Sequence, residues 1–239
     1  DGGSGLALGR SHSFADTTSI SGAGYLEVTG VNGTNTLAGS VDLDGSLNFY
    51  SSSTTTTFTG MVTVGHRLRA QGGTANFNGP TSFDLGATLE VTGGTANLGP
   101  SDVTFAGGTI SNGTLSGLGD VTITDTLTWS GGEMSGSGTT LVSSAGVLNI
   151  SGPNLKSLSR SLRNEGTVNW SDGDINVSGG SVLTNVGTFH ASAVDEDYRS
   201  ISGSNAFVNE GTFTRSGAGT TEFRVANGGT IPFDNQGTV

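Results

Sequence analysis

Apolar side chains in this chain return every 21 residues, and that spacing constrains the fold more than any other feature of the sequence. Four segments share one motif: Asn164-Glu165-Gly166-Thr167-Val168, Asn185-Val186-Gly187-Thr188-Phe189, Asn209-Glu210-Gly211-Thr212-Phe213 and Asn235-Gln236-Gly237-Thr238-Val239. An apolar residue stands two positions before each Asn: Leu162, Leu183, Phe207 and Phe233. With the last residue of each motif as an anchor, the register runs back through Leu148, Leu127, Ile110, Leu89, Leu68 and Leu47 to Leu26, mostly 21 residues apart. A second apolar column precedes the anchors by six residues, and a third follows them by two, with Val28, Phe49, Ala70, Val91, Trp129, Ile150, Trp170 and Ala191. Gly72-Gly73-Thr74-Ala75-Asn76-Phe77 returns as Gly93-Gly94-Thr95-Ala96-Asn97-Leu98, again 21 residues on.

A fixed period of this length is the signature of a stacked repeat. From Val168 to Thr184, apolar residues alternate with polar ones in three short runs, split by Ser171-Asp172-Gly173 and Ser178-Gly179-Gly180. Alternation of period two marks half-buried strands. Glycine, proline and serine make up about a third of the chain, a composition that without a period would suggest disorder. The sequence therefore predicts an all-β fold: a right-handed parallel β-helix, a three-sheet β-solenoid of about ten coils with about 21 residues per coil. The hand follows from the preference of parallel crossovers. Residues 1–239 read as a single β-solenoid domain. No cap is visible around Val239, itself an anchor. The expectation is an excerpt of a longer repeat protein or a unit that self-associates head to tail.

The four asparagines Asn164, Asn185, Asn209 and Asn235 are predicted to form a structural corner, each tolerating the left-handed conformation and bonding its amide to the next coil. Earlier coils carry Leu43, Val64, Leu85 and Ile123 in that column, which predicts a gentler turn there.

The alternation of Gly-Thr-Leu/Val-x-Trp/Ile-Ser-Gly with Asn-x-Gly-Thr-Phe/Val resembles the β-strand-repeat regions of large secreted bacterial surface proteins, the autotransporter passengers and filamentous-haemagglutinin-like adhesins. The resemblance spans nearly the whole chain and is specific for architecture. It implies an extracellular or cell-surface location and a structural or adhesive role. The same fold also hosts pectate-lyase-like enzymes, so fold alone does not decide function.

The net charge of −11, with Lys156 the only lysine, disfavours nucleic acid and anionic membranes as partners. No apolar run is long enough for a membrane span. Carbohydrate or another surface protein remains as a partner. Without cysteine, thiolate metal sites and thiol catalysis are excluded.

No cofactor is expected beyond calcium. Its candidate ligands are Asp195, Glu196 and Asp197, in a segment where one coil lengthens, because hard cations take several carboxylate oxygens. Asp172 and Asp174 flank Gly173 and offer the paired carboxylates of glycoside hydrolysis, although Asp-Gly is also a turn word. A lyase would need a base among Arg160, Arg163, Arg199, Arg215 and Arg224. His12, His66 and His190 share no column, and Trp129 and Trp170 read as core. The run Ser51 to Thr57 suggests an ice-binding ladder. Such a ladder needs threonine in every coil, and Gln71 to Asn78 looks different, so the run reads as a polar strand and turn. The sequons at Asn32, Asn112, Asn149, Asn169 and Asn176 are no more than chance predicts. No nucleophile elbow or catalytic set converges, so the chain reads as non-enzymatic. The alternatives are a polysaccharide-active lyase or glycoside hydrolase, or a carbohydrate-binding module.

Overall fold

A computed structural model describes residues 4–192, 196–201, 203–225 and 230–239. They form a parallel β-solenoid in which each strand pairs with the strands one coil before and one coil after. The first sheet has eleven strands, from Gly5–Leu8 to Thr212–Arg215, and the second has eleven, from His12–Phe14 to Thr221–Val225. The third face is divided. Ser19–Gly22, Ser40–Leu43, Val62–Val64 and Thr81–Phe83 form a four-stranded sheet, and seven strands from Val103–Phe105 to Phe233–Asn235 form another. Across the division the core continues, with the Phe83 and Phe105 rings 4.4 Å apart. No helix among the described residues is long and apolar enough to cross a membrane.

Strand Thr167–Trp170 shows how sequence makes one rung. Val168 and Trp170 point inward and are buried, while Thr167 and Asn169 face out. Successive Cβ atoms of a strand point to opposite faces, so a two-residue alternation suffices. Stacking repeats the choice: Leu26, Leu47, Leu68, Leu89, Leu127, Leu148, Val168 and Phe189 are all fully buried.

The register departs from the sequence reading in three places. Leu89 pairs with Gly108, and Ile110 pairs with Val91 and Trp129, so Ile110 belongs to the column two after the anchors. Gly108 is required there. Its φ is +144°, and an added Cβ would lie 1.8 Å from the Leu89 carbonyl oxygen. Secondly, Phe83 lies beside Val64, not Val62, and Leu85 falls into a four-residue corner closed by the Ala87 N–H donating to Asp84 O at 2.9 Å. Leu85 is consequently 96% exposed rather than part of the inward column. Thirdly, a matching corner at 143–146, closed by Gly146 N–H to Ser143 O at 2.8 Å, puts Val142 against Ile123 and Asn164. Thr140, not Val142, stacks with Val121 and Leu162.

Candidate functional site

The asparagine column forms a continuous amide ladder. Asn164 Nδ2 donates to Asn185 Oδ1, Asn185 Nδ2 to Asn209 Oδ1, and Asn209 Nδ2 to Asn235 Oδ1, each at 2.7 Å. The second amide hydrogen of each donor bonds a backbone oxygen in the next coil, at Thr188, Thr212 and Thr238, within 2.9–3.0 Å. At the start of the ladder, where Val142 offers no donor, Asn164 Oδ1 accepts from Gly166 N–H at 3.1 Å. Asn164, Asn185 and Asn209 are fully buried with both hydrogens bonded, which is the condition for a buried amide to be tolerated. The left-handed expectation is corrected: the one described non-glycine residue with positive φ is Asn32. These asparagines end ordinary strands, and their role is in the side chain. The gentler early turn is corrected too, since Leu43 and Val64 lead into the same two-residue bend as Asn164 and Asn185.

Asp172, Gly173 and Asp174 wrap the chain's sole lysine. Lys156 occupies an inward position of the second sheet, in register with Ile175 and fully buried. Its ammonium donates to the carbonyls of Gly152 and Asp172, the latter at 2.8 Å. Gly173 has φ +75°, and a Cβ there would lie 2.5 Å from the Gly152 carbonyl oxygen and 2.8 Å from that of Asn154, so this corner fits only glycine. Trp170 Nε1 donates to Gly173 O at 2.8 Å. Asp174 Oδ1 accepts the Asp197 N–H at 3.0 Å. The Asp172–Asp174 corner thus closes over a buried cation, and Asp174 ties it to the next coil. A shallow hollow of about 210 Å³ lies beside it, lined by Pro153, Leu155 and the three corner residues.

Of the calcium candidates, Asp195 lies outside the described residues. Glu196 begins strand Glu196–Ser200. Asp197 forms an ion pair with Arg224, whose Nε is 3.8 Å from Glu222. Among the described residues, no three His, Asp or Glu side chains gather in a way that suits a metal ion.

The arginines considered as bases are engaged. Arg163 pairs with Glu165 at 2.8 Å, Arg199 donates to Asn176 Oδ1 at 3.0 Å, and Arg215 donates to Ala218 O at 2.9 Å. Arg160 is buried and donates to Gly119 O at 2.9 Å; burial lowers it to about 10. His66 meets Ser46 at 3.2 Å, while His190 lies between Thr214 at 2.7 Å and Ser216 at 3.0 Å. Trp129 and Trp170 are fully buried, and so is Tyr198, whose hydroxyl is pushed up by burial.

Sequence reasoning missed two outward features. The first is a threonine column: Thr34, Thr55, Thr74, Thr95 and Thr114 stack in five successive coils of the second sheet. Beside it run Thr36, Thr57, Asn76, Asn97 and Ser116, with Asn97 Nδ2 bonded to Asn76 Oδ1 at 3.0 Å. The ladder dismissed for want of threonine in the next coil does continue there, at Thr74. The second is a charged cluster on the outer side of the first sheet, where Glu27, Asn48, Arg69 and Glu90 share one column. Both were legible from residues one step out of phase with the apolar anchors. Against known protein families, curated proteins and solved structures, the chain finds no match.

Proposed function

We propose that this chain is a non-enzymatic structural or adhesive segment of an extracellular bacterial surface protein, of the autotransporter-passenger or filamentous-haemagglutinin-like kind. The observation that carries the reading is where the polar side chains are spent. Asn164 to Asn235, Asn149 with Asn169, and Asp102 with Asp120 bond along the stack, from coil to coil. Asp174, Asp197 and Lys156 are likewise committed to corners and neighbouring coils. Such side chains stiffen a rod, whereas hydrolysis or elimination needs an acid and a base converging on one substrate bond. Calcium, if bound, belongs to the Asp195–Asp197 segment and would be a weak ligand, since Arg224 already occupies the Asp197 carboxylate.

The test is product release from neutral and anionic polysaccharides, with and without calcium. The reading predicts no release. Release that disappears when Asp172 and Asp174 are both changed to Asn would replace it with a polysaccharide-active enzyme.

The threonine columns favour a second reading, attachment to ice. Ten hydroxyl or amide side chains without a charge, spaced by about 4.8 Å between coils, occupy one face of a chain at −11. Threonine is stiff about χ1, so its hydroxyl and methyl groups are presented in a fixed array. Thermal hysteresis that is lost in Thr74→Tyr would establish this activity; its absence in the unaltered chain would eliminate it.

A further inference from the structure

The outer face of the first sheet is lined with threonine and asparagine over most of its length, as at Thr126, Thr128, Asn149, Thr167, Asn169 and Thr188. Over three coils it is quite different. Arg69 donates from Nη1 to the Tyr50 hydroxyl at 2.9 Å and pairs through Nε with Glu90. Its guanidinium carbon lies 5.8 Å from the Tyr50 ring centroid. Arg67 Nε is 3.6 Å from the same Glu90 carboxylate. The side chains of Arg67, Arg69 and Glu90 are only 22%, 26% and 30% exposed although they stand on an outward face. They hold one another in place, and the hydrogen bond that Arg69 donates to Glu90 raises the guanidinium above its ordinary value despite its partial burial.

Beneath them is an unmet acceptor. Asn48 lies in register between Glu27 and Arg69, and is 2% exposed. Its Oδ1 has no hydrogen-bond donor among the described residues. A buried carbonyl without a donor costs about 1–3 kcal/mol, so its survival calls for a reason. The nearest donor by register, Arg69, is turned to Glu90 and Tyr50 instead.

We propose that this patch, centred on Tyr50, Arg69, Glu90 and Asn48, binds a neutral saccharide through a pair of adjacent hydroxyl groups. The inference rests on the adhesive role proposed above and names its ligand class. Tyr50 is 37% exposed and offers a ring face for the C–H side of a pyranose. The Tyr50 hydroxyl accepts from Arg69 and keeps its own hydrogen to donate. The guanidinium donates, the Glu90 carboxylate accepts, and the two side by side span vicinal hydroxyls. The Asn48 carbonyl is closed off from solvent beneath this pair, so a ligand hydroxyl meets it where the Arg69 side chain is drawn aside. The charges in the patch, Arg67 and Arg69 against Glu27 and Glu90, cancel, which favours a neutral sugar over a uronate.

Titration calorimetry of the full chain against neutral gluco-, galacto- and manno-configured oligosaccharides, with oligouronates of matched length alongside, tests this. A neutral oligosaccharide should bind, and Tyr50→Ala and Arg69→Gln should each weaken it about tenfold or more. Tyr50→Phe keeps the ring and should lose only about two- to threefold. Thr167→Ser, five strands along the same sheet, should bind as the unaltered chain does. Circular dichroism establishes that each variant is folded. Binding of oligouronates alone, no binding of any neutral saccharide, or binding that survives both Tyr50→Ala and Arg69→Gln overturns the proposal. Such results leave the structural reading standing, because that reading is tested separately by product release.

Discussion

The two ends of the third face solve one problem with opposite chemistry. At the strand end that leads into the first sheet, the early coils place Leu43, Val64, Phe105, Ile123 and Val142, all buried. The later coils place Asn164, Asn185 and Asn209 in the same column, equally buried. Val142 stacks directly on Asn164, so the change from apolar to amide takes a single step. What each half demands of its neighbours differs. An apolar rung needs only contact and adapts to whatever volume the next coil offers. An amide rung needs a donor on one side and an acceptor on the other, so each Asn is tolerable only because the next coil carries another. Aromatic packing does not share this division: Phe49, Phe58, Phe77, Phe83 and Phe105 make a chain of ring contacts in the early core, as Phe189, Phe207, Phe213, Phe223 and Phe233 do in the later one.

The comparison breaks most visibly if an amide is placed alone among apolar rungs. Val64 is fully buried between Leu43 and Phe83. Val64→Asn buries an amide with no ladder partner and is expected to cost about 4 kcal/mol. Native-state amide exchange in the coils of residues 41–49 and 62–70 measures it locally, which suits a stack whose unfolding need not be all-or-none. A cost below about 1 kcal/mol would mean that this column is not the closed apolar interior described.

The reverse exchange is expected to be smaller. Asn185→Leu leaves one Asn164 hydrogen without its acceptor and the Asn209 carbonyl without its donor, for about 3 kcal/mol. Changing Asn164, Asn185 and Asn209 together to Leu removes the ladder's donors and acceptors at once and should cost less than the sum of the three single changes, because the losses left are those of the backbone partners, the Gly166 N–H and the carbonyls of Thr188, Thr212 and Thr238. Thermal or denaturant midpoints of the single and triple variants decide the point. If the triple variant loses the sum of three single losses, the asparagines act independently and the ladder is not cooperative.

How far the sequence could be read follows from this chemistry. The anchors from Leu26 to Phe213 were legible because an inward apolar column recurs with the pitch of one coil. The asparagine column was legible because its neighbours, Gly-Thr on one side and an apolar residue on the other, are fixed by the strand and the bend. Its backbone rationale was not, since side-chain bonds between residues 21 to 26 apart leave no local trace. Gly108 broke the pattern because glycine has no apolar side chain to count. The threonine columns and the Tyr50–Arg69 patch were hidden because polar outward positions were followed along the chain and not down the stack. Nothing in the sequence marks Lys156 as buried; in the structure the carbonyls of Gly152 and Asp172 accept hydrogen bonds from it.

The smallest expected effect sharpens the comparison where spacing alone adds one more member to the early column. By spacing from Val64, Leu85 belongs with the buried rungs, and a leucine there should be worth about 2–5 kcal/mol against a small residue. The structure replaces it with Phe83, which pairs with Val64 two positions earlier in the chain than the period requires. The two surplus residues are taken up by the corner at 84–87, where Gly86 has φ +96° and Ala87 N–H closes on Asp84 O at 2.9 Å. Leu85 stands at the tip of that corner, 96% exposed, with almost no apolar area to lose. Leu85→Ser is therefore expected to change stability by no more than about 0.5 kcal/mol, while Leu43→Ser, at a buried rung of the same column, should cost about 3 kcal/mol. The pair of denaturant midpoints separates the alternatives cleanly. Equal losses at the two positions would put Leu85 back in the core, restore the 21-residue register through this coil, and remove the two-residue excess that sets this corner apart from the bends after Leu43 and Val64.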